Sequence, residues 1–329
     1  MESVRLTPDI TSTRIGLGCG GLMREPANRK RQRLLDEAFD QGIRHFDVAR
    51  MYGLGAAEGE LGRFARGRRD QVVIATKFGI EPPPTSGRLA RLQGPARWLL
   101  ARYPALRSYV KKRADASHEP RNYDAATART SLQTSLRELQ TDYVDLLLVH
   151  DPAPTDRVDL PSICAYLEEA REAGHLRAWG VAGEQEPCIH IKQSLPATAI
   201  LQTREDILSR ISHAPNDLEP LITFGVLSNA LRQITDHLKE SARRRSQWSK
   251  ALGIDCSPQT VASLLLRDAL DSNPRGVVLY STIRPDRLSE VKSIASGTHN
   301  HDDPQLAEFR RMVKHEILSP SELNGNIGR

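Results

Sequence analysis

The feature that most constrains the fold of this chain is an alternation. Eight short apolar runs recur along it, at Ile15 to Gly21, Ile43 to Ala49, Gln71 to Phe78, Tyr143 to Val149, Ala178 to Ala182, Ala197 to Gln202, Leu221 to Val226 and Gly276 to Ser281. Most are separated by stretches of helical periodicity: Asn28 or Arg29 to Gln41, Ala56 to Ala65, Tyr123 to Gln140, Leu160 to Ala173, a polar stretch ending at Lys250, and Pro258 to Leu270. The last regular helix is expected to start over Pro285 to Ile294. A run such as Val72-Val73-Ile74-Ala75 is apolar without interruption, as a strand buried on both faces must be. Strands alternating with helices build parallel βα units. Eight such units close into a (β/α)8 TIM barrel, with a doubly wound open sheet as the alternative. Residues 1–329 then read as a single barrel domain, a usual size for this architecture.

Composition narrows the partners. Forty-six basic against 41 acidic residues leave a net charge of +5, too mild to predict nucleic-acid binding. The first 14 residues are polar and lack the apolar stretch of a signal peptide. No apolar run approaches the ~20 residues that span a bilayer, so no membrane partner is expected. Cys19, Cys164, Cys188 and Cys256 are too widely spaced for a disulfide or metal framework, which fits a reducing cytoplasm. Oligomeric state has no readable signal.

One segment breaks the rhythm. An insertion at 80–122, after the third strand, has no clear strand of its own. It carries Arg88, Arg91, Arg97, Arg102, Arg107, Lys111, Lys112 and Arg113 among the aromatic residues Trp98, Tyr103 and Tyr109. It is read either as a lid over the cleft or as a solvated insertion or partner surface.

Barrel active sites lie at the carboxyl ends of the strands. Asp47 and Tyr52 follow the second strand, Lys77 closes the third and His150 closes the fourth. Each alone reads as a helix cap, a strand-end charge or a satisfied histidine. On three consecutive strand ends they converge, and together they suit carbonyl reduction. A hydride delivered to a carbonyl creates an alkoxide that needs a proton. A tyrosine can give it, although its reference pKa is about 10. A neighbouring ammonium, Lys77, lowers that value, and Asp47 can hold the ammonium in place. A neutral His150 can orient the substrate oxygen by hydrogen bonding. No His/Cys cluster offers a metal site, and no Gly-x-Ser-x-Gly elbow supports acyl hydrolysis.

The segment Asp47-Val48-Ala49-Arg50-Met51-Tyr52-Gly53, followed by Gly55, Glu58 and Leu61-Gly62, resembles the aldo-keto reductase signature. With Lys77 and His150 the match extends to that family's Asp/Tyr/Lys/His tetrad. The resemblance implies a (β/α)8 barrel, a nicotinamide cofactor extended across its carboxyl face, and reversible interconversion of an alcohol with an aldehyde, ketone or aldose, with Tyr52 as general acid. It places Gly18, Cys19 and Gly20 beneath the nicotinamide and Gln202 on its carboxamide. It places Leu227 and Ser228 in the groove wall, and Thr282, Arg284, Arg287 and Glu290 at the adenosine-phosphate end. Arg287 would take a 2′-phosphate, so NADP is expected over NAD.

The chain departs from the family at several points. The fifth strand ends Gly180-Val181-Ala182-Gly183, without the usual Ser and Asn for the carboxamide. In the run Leu227-Ser228-Asn229-Ala230 the aromatic that stacks on the nicotinamide is missing, and leucine covers the ring instead. Ser281 and Val291 replace the usual phosphate lysine and adenine asparagine. Gly-Val-Ala-Gly followed by Glu184 is weakly similar to the branch that oxidises aldoses, which leaves the reaction direction open. A second reading is a cofactor-binding regulatory or interaction protein on the same scaffold, without turnover.

Overall fold

A computed structural model describes residues 1–82, 121–210, 221–297 and 303–318. Eight parallel strands close into a barrel: β3 (Ile15–Gly18), β4 (His45–Asp47), β5 (Val73–Phe78), β6 (Val144–His150), β7 (Leu176–Gly183), β8 (Ile200–Arg204), β9 (Leu221–Phe224) and β10 (Val277–Tyr280). β10 pairs back onto β3, so no sheet edge is left and the open-sheet alternative is ruled out. The eight apolar runs each supply one strand.

The amino-terminal 14 residues hold an element that their polarity concealed. β1 (Ser3–Thr7) and β2 (Ile10–Thr13) form an antiparallel hairpin. It buries Val4, Leu6 and Ile10 against inward-facing barrel residues that include Val73, Leu146, Ile222 and Val277. The alternation of exposed and buried residues along β1 is that of a half-buried strand.

Helices α1 (Asn28–Asp40), α2 (Ala57–Ala65), α3 (Ala125–Leu139), α4 (Leu160–Glu172) and α5 (Gln185–Lys192) surround the barrel. They are joined by α6 (Ser228–Lys239), α7 (Ala242–Leu252), α8 (Pro258–Ser272), α9 (Asp286–Ser296) and α10 (Pro304–Glu316). Their apolar stripes and the outward faces of the strands make the larger core, with Phe46, Leu147 and Val278 among its members. The polar stretch to Lys250 is two helices, broken where Ser241 caps α7. The helix at Asp286 is not the last: α10 follows it, capped by Asp303 and packing Phe309 against Trp248. The expected basic insertion falls largely at 83–120, outside the described residues, together with its arginines, lysines and aromatic residues.

Candidate active site

Strand register delivers the site. Asp47 ends β4, opposite Gly18 of β3 and Ala75 of β5. Lys77 is the second-last residue of β5, and His150 the last of β6. Tyr52 lies in the turn that follows β4. That turn is pinned by the Tyr52 amide on the Ala49 carbonyl at 3.0 Å and by the Ala57 amide on the Tyr52 carbonyl at 3.2 Å. The four expected residues share one cavity of about 250 Å3 at the carboxyl end of the barrel.

The Lys77 ammonium has three donors and uses all of them. Two go to Asp47, at 2.7 Å to Oδ1 and 2.6 Å to Oδ2, and one goes to the Val48 carbonyl at 3.0 Å. Lys77 is 2% exposed. Burial is the largest influence and works against its charge, yet Asp47, Tyr52 and Cys19 together more than offset it, and its pKa lies above the ordinary lysine value. Lys77 Nζ stands 5.3 Å from the centre of the Tyr52 ring. Burial pushes the Tyr52 phenol above its ordinary pKa, against the downward pull of Lys77. The expected lowering by the ammonium is present, but desolvation exceeds it, so the side chain is a protonated acid at neutral pH. His150 packs edge-on to Tyr52, with ring centres 5.7 Å apart. Its pKa is pushed down to about 3 by burial, with Lys77 and Arg121 adding to the effect. It is therefore a neutral imidazole.

A buried cluster fixes the frame behind these groups. Glu58 on α2 is 0% exposed. It takes Arg50 Nη1 at 2.5 Å and Thr76 Oγ1 at 2.7 Å. Arg50 belongs to the Tyr52 turn and Thr76 adjoins Lys77, so this one carboxylate ties the Tyr52 turn to the strand that carries its neighbouring charge. Removing it would leave the buried Arg50 guanidinium with only the longer contact of its Nε to Glu81, at 3.3 Å.

The expected cofactor residues separate into two groups. Gly18, Gly20, Gln202 and Ser228 line the catalytic cavity. Leu227, Thr282, Arg284, Arg287 and Glu290 line a second cavity of about 300 Å3 that begins one residue away from Ser228. Cys19 lines neither: its side chain is buried in the core behind β3. Gln202 shows a fit to a carboxamide. Its Nε2 donates to Asp47 Oδ2 at 3.1 Å, and a carboxylate can only accept, so the orientation of the amide is settled. Its Oε1 is buried and has no partner. Arg287 Nη1 holds Glu290 Oε2 at 3.0 Å, and Glu290 also accepts from Gln259 and Ser263. Arg284 pairs with Asp286 in an exposed position.

Several wall residues escaped the sequence reading. Phe224, the last residue of β9, lines the catalytic cavity and carries the Arg204 guanidinium 5.0 Å from its ring centre. An aromatic is therefore present where the run starting at Leu227 offered none, and Leu227 faces the second cavity instead. The strand-end rule that found Lys77 and His150 would also have found Phe224. Asp151, Glu184 and Arg204 are in the wall too, Arg204 Nε holding Glu184 Oε1 at 2.6 Å. Among the described residues no group of three His, Cys, Asp or Glu could hold a metal ion, and no helix is long and apolar enough to cross a membrane.

Comparison with known proteins converges on one family. The family model described as "Aldo/keto reductase family" matches residues 14–194. The aldo-keto reductase YhdN of Bacillus subtilis (strain 168) is 26% identical over 346 residues, covering 94% of this chain and 93% of YhdN. Aldo-keto reductase AKR11C1 from Bacillus halodurans, in its holo form, shares the fold with a TM-score of 0.71 at 18% identity, over 98% of this chain and 99% of that one. An aldo-keto reductase from Klebsiella pneumoniae, solved in complex with NADPH, does so with a TM-score of 0.64 at 19% identity, over 98% and 97%. The chain belongs to the aldo/keto reductase family and is an NAD(P)-dependent oxidoreductase.

Proposed function

We propose that this protein reduces a small aldehyde, ketone or aldose with NADPH in preference to NADH, reversibly, with Tyr52 as general acid and base. The observation that carries the reading is the convergence, in one cavity, of a protonated Tyr52, a saturated Lys77–Asp47 pair and a neutral His150.

Gly18, Gly20, Gln202, Phe224 and Ser228 would hold the nicotinamide end of the cofactor, and the second cavity, with Arg287, its adenosine end. Ser228 opens α6, and the amides of a helix amino terminus favour an anion there. A bound nicotinamide supplies hydride to the carbonyl carbon in reduction and takes it up in oxidation. His150 donates a hydrogen bond to the carbonyl oxygen and orients it. Tyr52 gives its hydroxyl proton to the developing alkoxide. The phenolate that forms is stabilised by the Lys77 charge and takes its next proton from solvent. In oxidation the same phenolate removes the proton from the alcohol.

The test uses NADPH and a panel running from para-nitrobenzaldehyde to aldoses, following loss of the reduced cofactor. Tyr52→Phe should lower kcat by about 10^2–10^4, the usual share of a positioned acid, and leave cofactor binding intact. Turnover that survives Tyr52→Phe would sink the assignment of the acid. Cofactor binding by the wild type without turnover on any carbonyl would favour the regulatory reading.

A further inference from the structure

The end of β7 lacks the two polar side chains that a carboxamide seat would use, since Ala182 and Gly183 stand there. What fills their place is visible. A Cβ on Gly183 would come within 2.8 Å of Asp151 Cα and 2.9 Å of Asp151 Oδ1. Residue 183 is therefore glycine because Asp151 occupies its side-chain volume. Asp151 is held there at a cost: its φ is +48°, in the left-handed region where non-glycine residues are strained. Its amide donates to the Ala182 carbonyl at 2.5 Å, which locks the residue against β7.

The register places Asp151 and Gln202 on opposite sides of this bare strand end. His150 pairs with Ala182, and Ala182 pairs with Gln202. Neighbouring strands lie about 4.8 Å apart, so the two backbones are roughly 10 Å apart across β7. Two side chains reaching inward narrow that gap to about two hydrogen-bond lengths. Both residues line the catalytic cavity. Gln202 offers its unpartnered Oε1 there, while its Nε2 donates to Asp47. Asp151 offers Oδ1, while Oδ2 is the oxygen turned towards Arg121 at 3.7 Å. The two sides of the strand end thus each present an acceptor, Asp151 Oδ1 and Gln202 Oε1.

We propose that Asp151 has taken over from the missing β7 side chains, and that with Gln202 it forms a two-acceptor seat for the NH2 of the nicotinamide carboxamide. This rests on the oxidoreductase reading above and adds a specificity-determining residue to it. A primary amide carries two N–H donors, one for each acceptor. A methyl ketone in the same position carries none and would leave a carboxylate and a buried amide oxygen unsatisfied.

The experiment compares binding of NADP+ and of its acetylpyridine analogue, in which a methyl group replaces the NH2, by quenching of tryptophan fluorescence. The ratio of the two Kd values is taken within each variant, so it does not depend on the folded fraction. Wild type should bind the analogue about 100-fold more weakly, two lost hydrogen bonds at about a tenfold factor each. Asp151→Ala should shrink that ratio about tenfold. Gly183→Asn should weaken NADP+ binding, because its side chain meets Asp151. An unchanged ratio in Asp151→Ala, or full NADP+ affinity in Gly183→Asn, would overturn the assignment of Asp151 and leave the oxidoreductase reading standing. Failure of the wild type to bind any nicotinamide dinucleotide would overturn both.

Discussion

His45 and His150 are both buried in the barrel, and folding keeps both neutral. His45 is wholly buried beneath Asp47, with Ser12 Oγ 3.0 Å from its Nδ1, and burial lowers its pKa to about 4. That of His150 falls to about 3, again chiefly by burial. In the unfolded chain each titrates near 6.5. Between roughly pH 4 and 6.5 the unfolded chain therefore binds two protons that the folded chain refuses, and stability rises with pH across that window. It is fully present above about 6.5 and is lost on acidification. At about pH 5 each histidine is roughly 1.5 pH units below its unfolded pKa and still above its folded one. At about 1.4 kcal/mol per unit, each then costs about 2 kcal/mol, and the pair about 4 kcal/mol. That is a large share of the 5–15 kcal/mol typical of a folded domain. Urea unfolding at about pH 8 and about pH 5 measures the loss. His150→Asn should lose only about half as much as wild type over the same interval, because one of the two refused protons is gone. Equal losses in wild type and His150→Asn would refute the reasoning, since the acid sensitivity would then come from other groups.

Lys77→Met should destabilise the fold by about 3–5 kcal/mol, because it leaves Asp47 buried without its cation, and Asp47→Asn in the same chain should recover much of the loss. Thermal unfolding of the two variants checks this. Leu54 holds a φ of +58° beside Tyr52 with its side chain exposed, so Leu54→Gly should raise stability by about 0.5–1 kcal/mol in urea unfolding, the relief of strain less the added chain entropy. Arg287→Ala should weaken NADPH binding by about 10–100-fold and leave NADH binding nearly unchanged, as read by fluorescence titration; a parallel loss of both would remove the 2′-phosphate role from Arg287.

The convergence of Asp47, Tyr52, Lys77 and His150 was legible because each of these residues obeys a local rule. Asp47, Lys77 and His150 sit at or near the ends of apolar runs, and closure of the barrel brings such ends together. Tyr52 follows Asp47 through a turn whose glycines mark it in the sequence. The hairpin of residues 3–13 was legible in principle from the alternation of Val4 and Leu6, but its polar composition masked it. The cofactor wall was legible only in part. Cys19 neighbours two cavity residues, but it begins the short 3-10 helix that follows β3 and its side chain is buried in the core.

What the sequence determined by itself is the set of parallel βα units and the four polar residues at their strand ends. Eight buried strands must pair with one another, and parallel strands with helical crossovers leave little but a barrel or an open sheet. The tertiary structure decided the rest. Closure of β10 on β3 chose the barrel. The contest at Tyr52 between burial and the Lys77 charge was settled by desolvation, a property of the packed interior that no local motif encodes. The exchange of volume between Asp151 and Gly183 joins residues 32 positions apart on neighbouring strand ends, and their complementarity exists only once those strands are side by side.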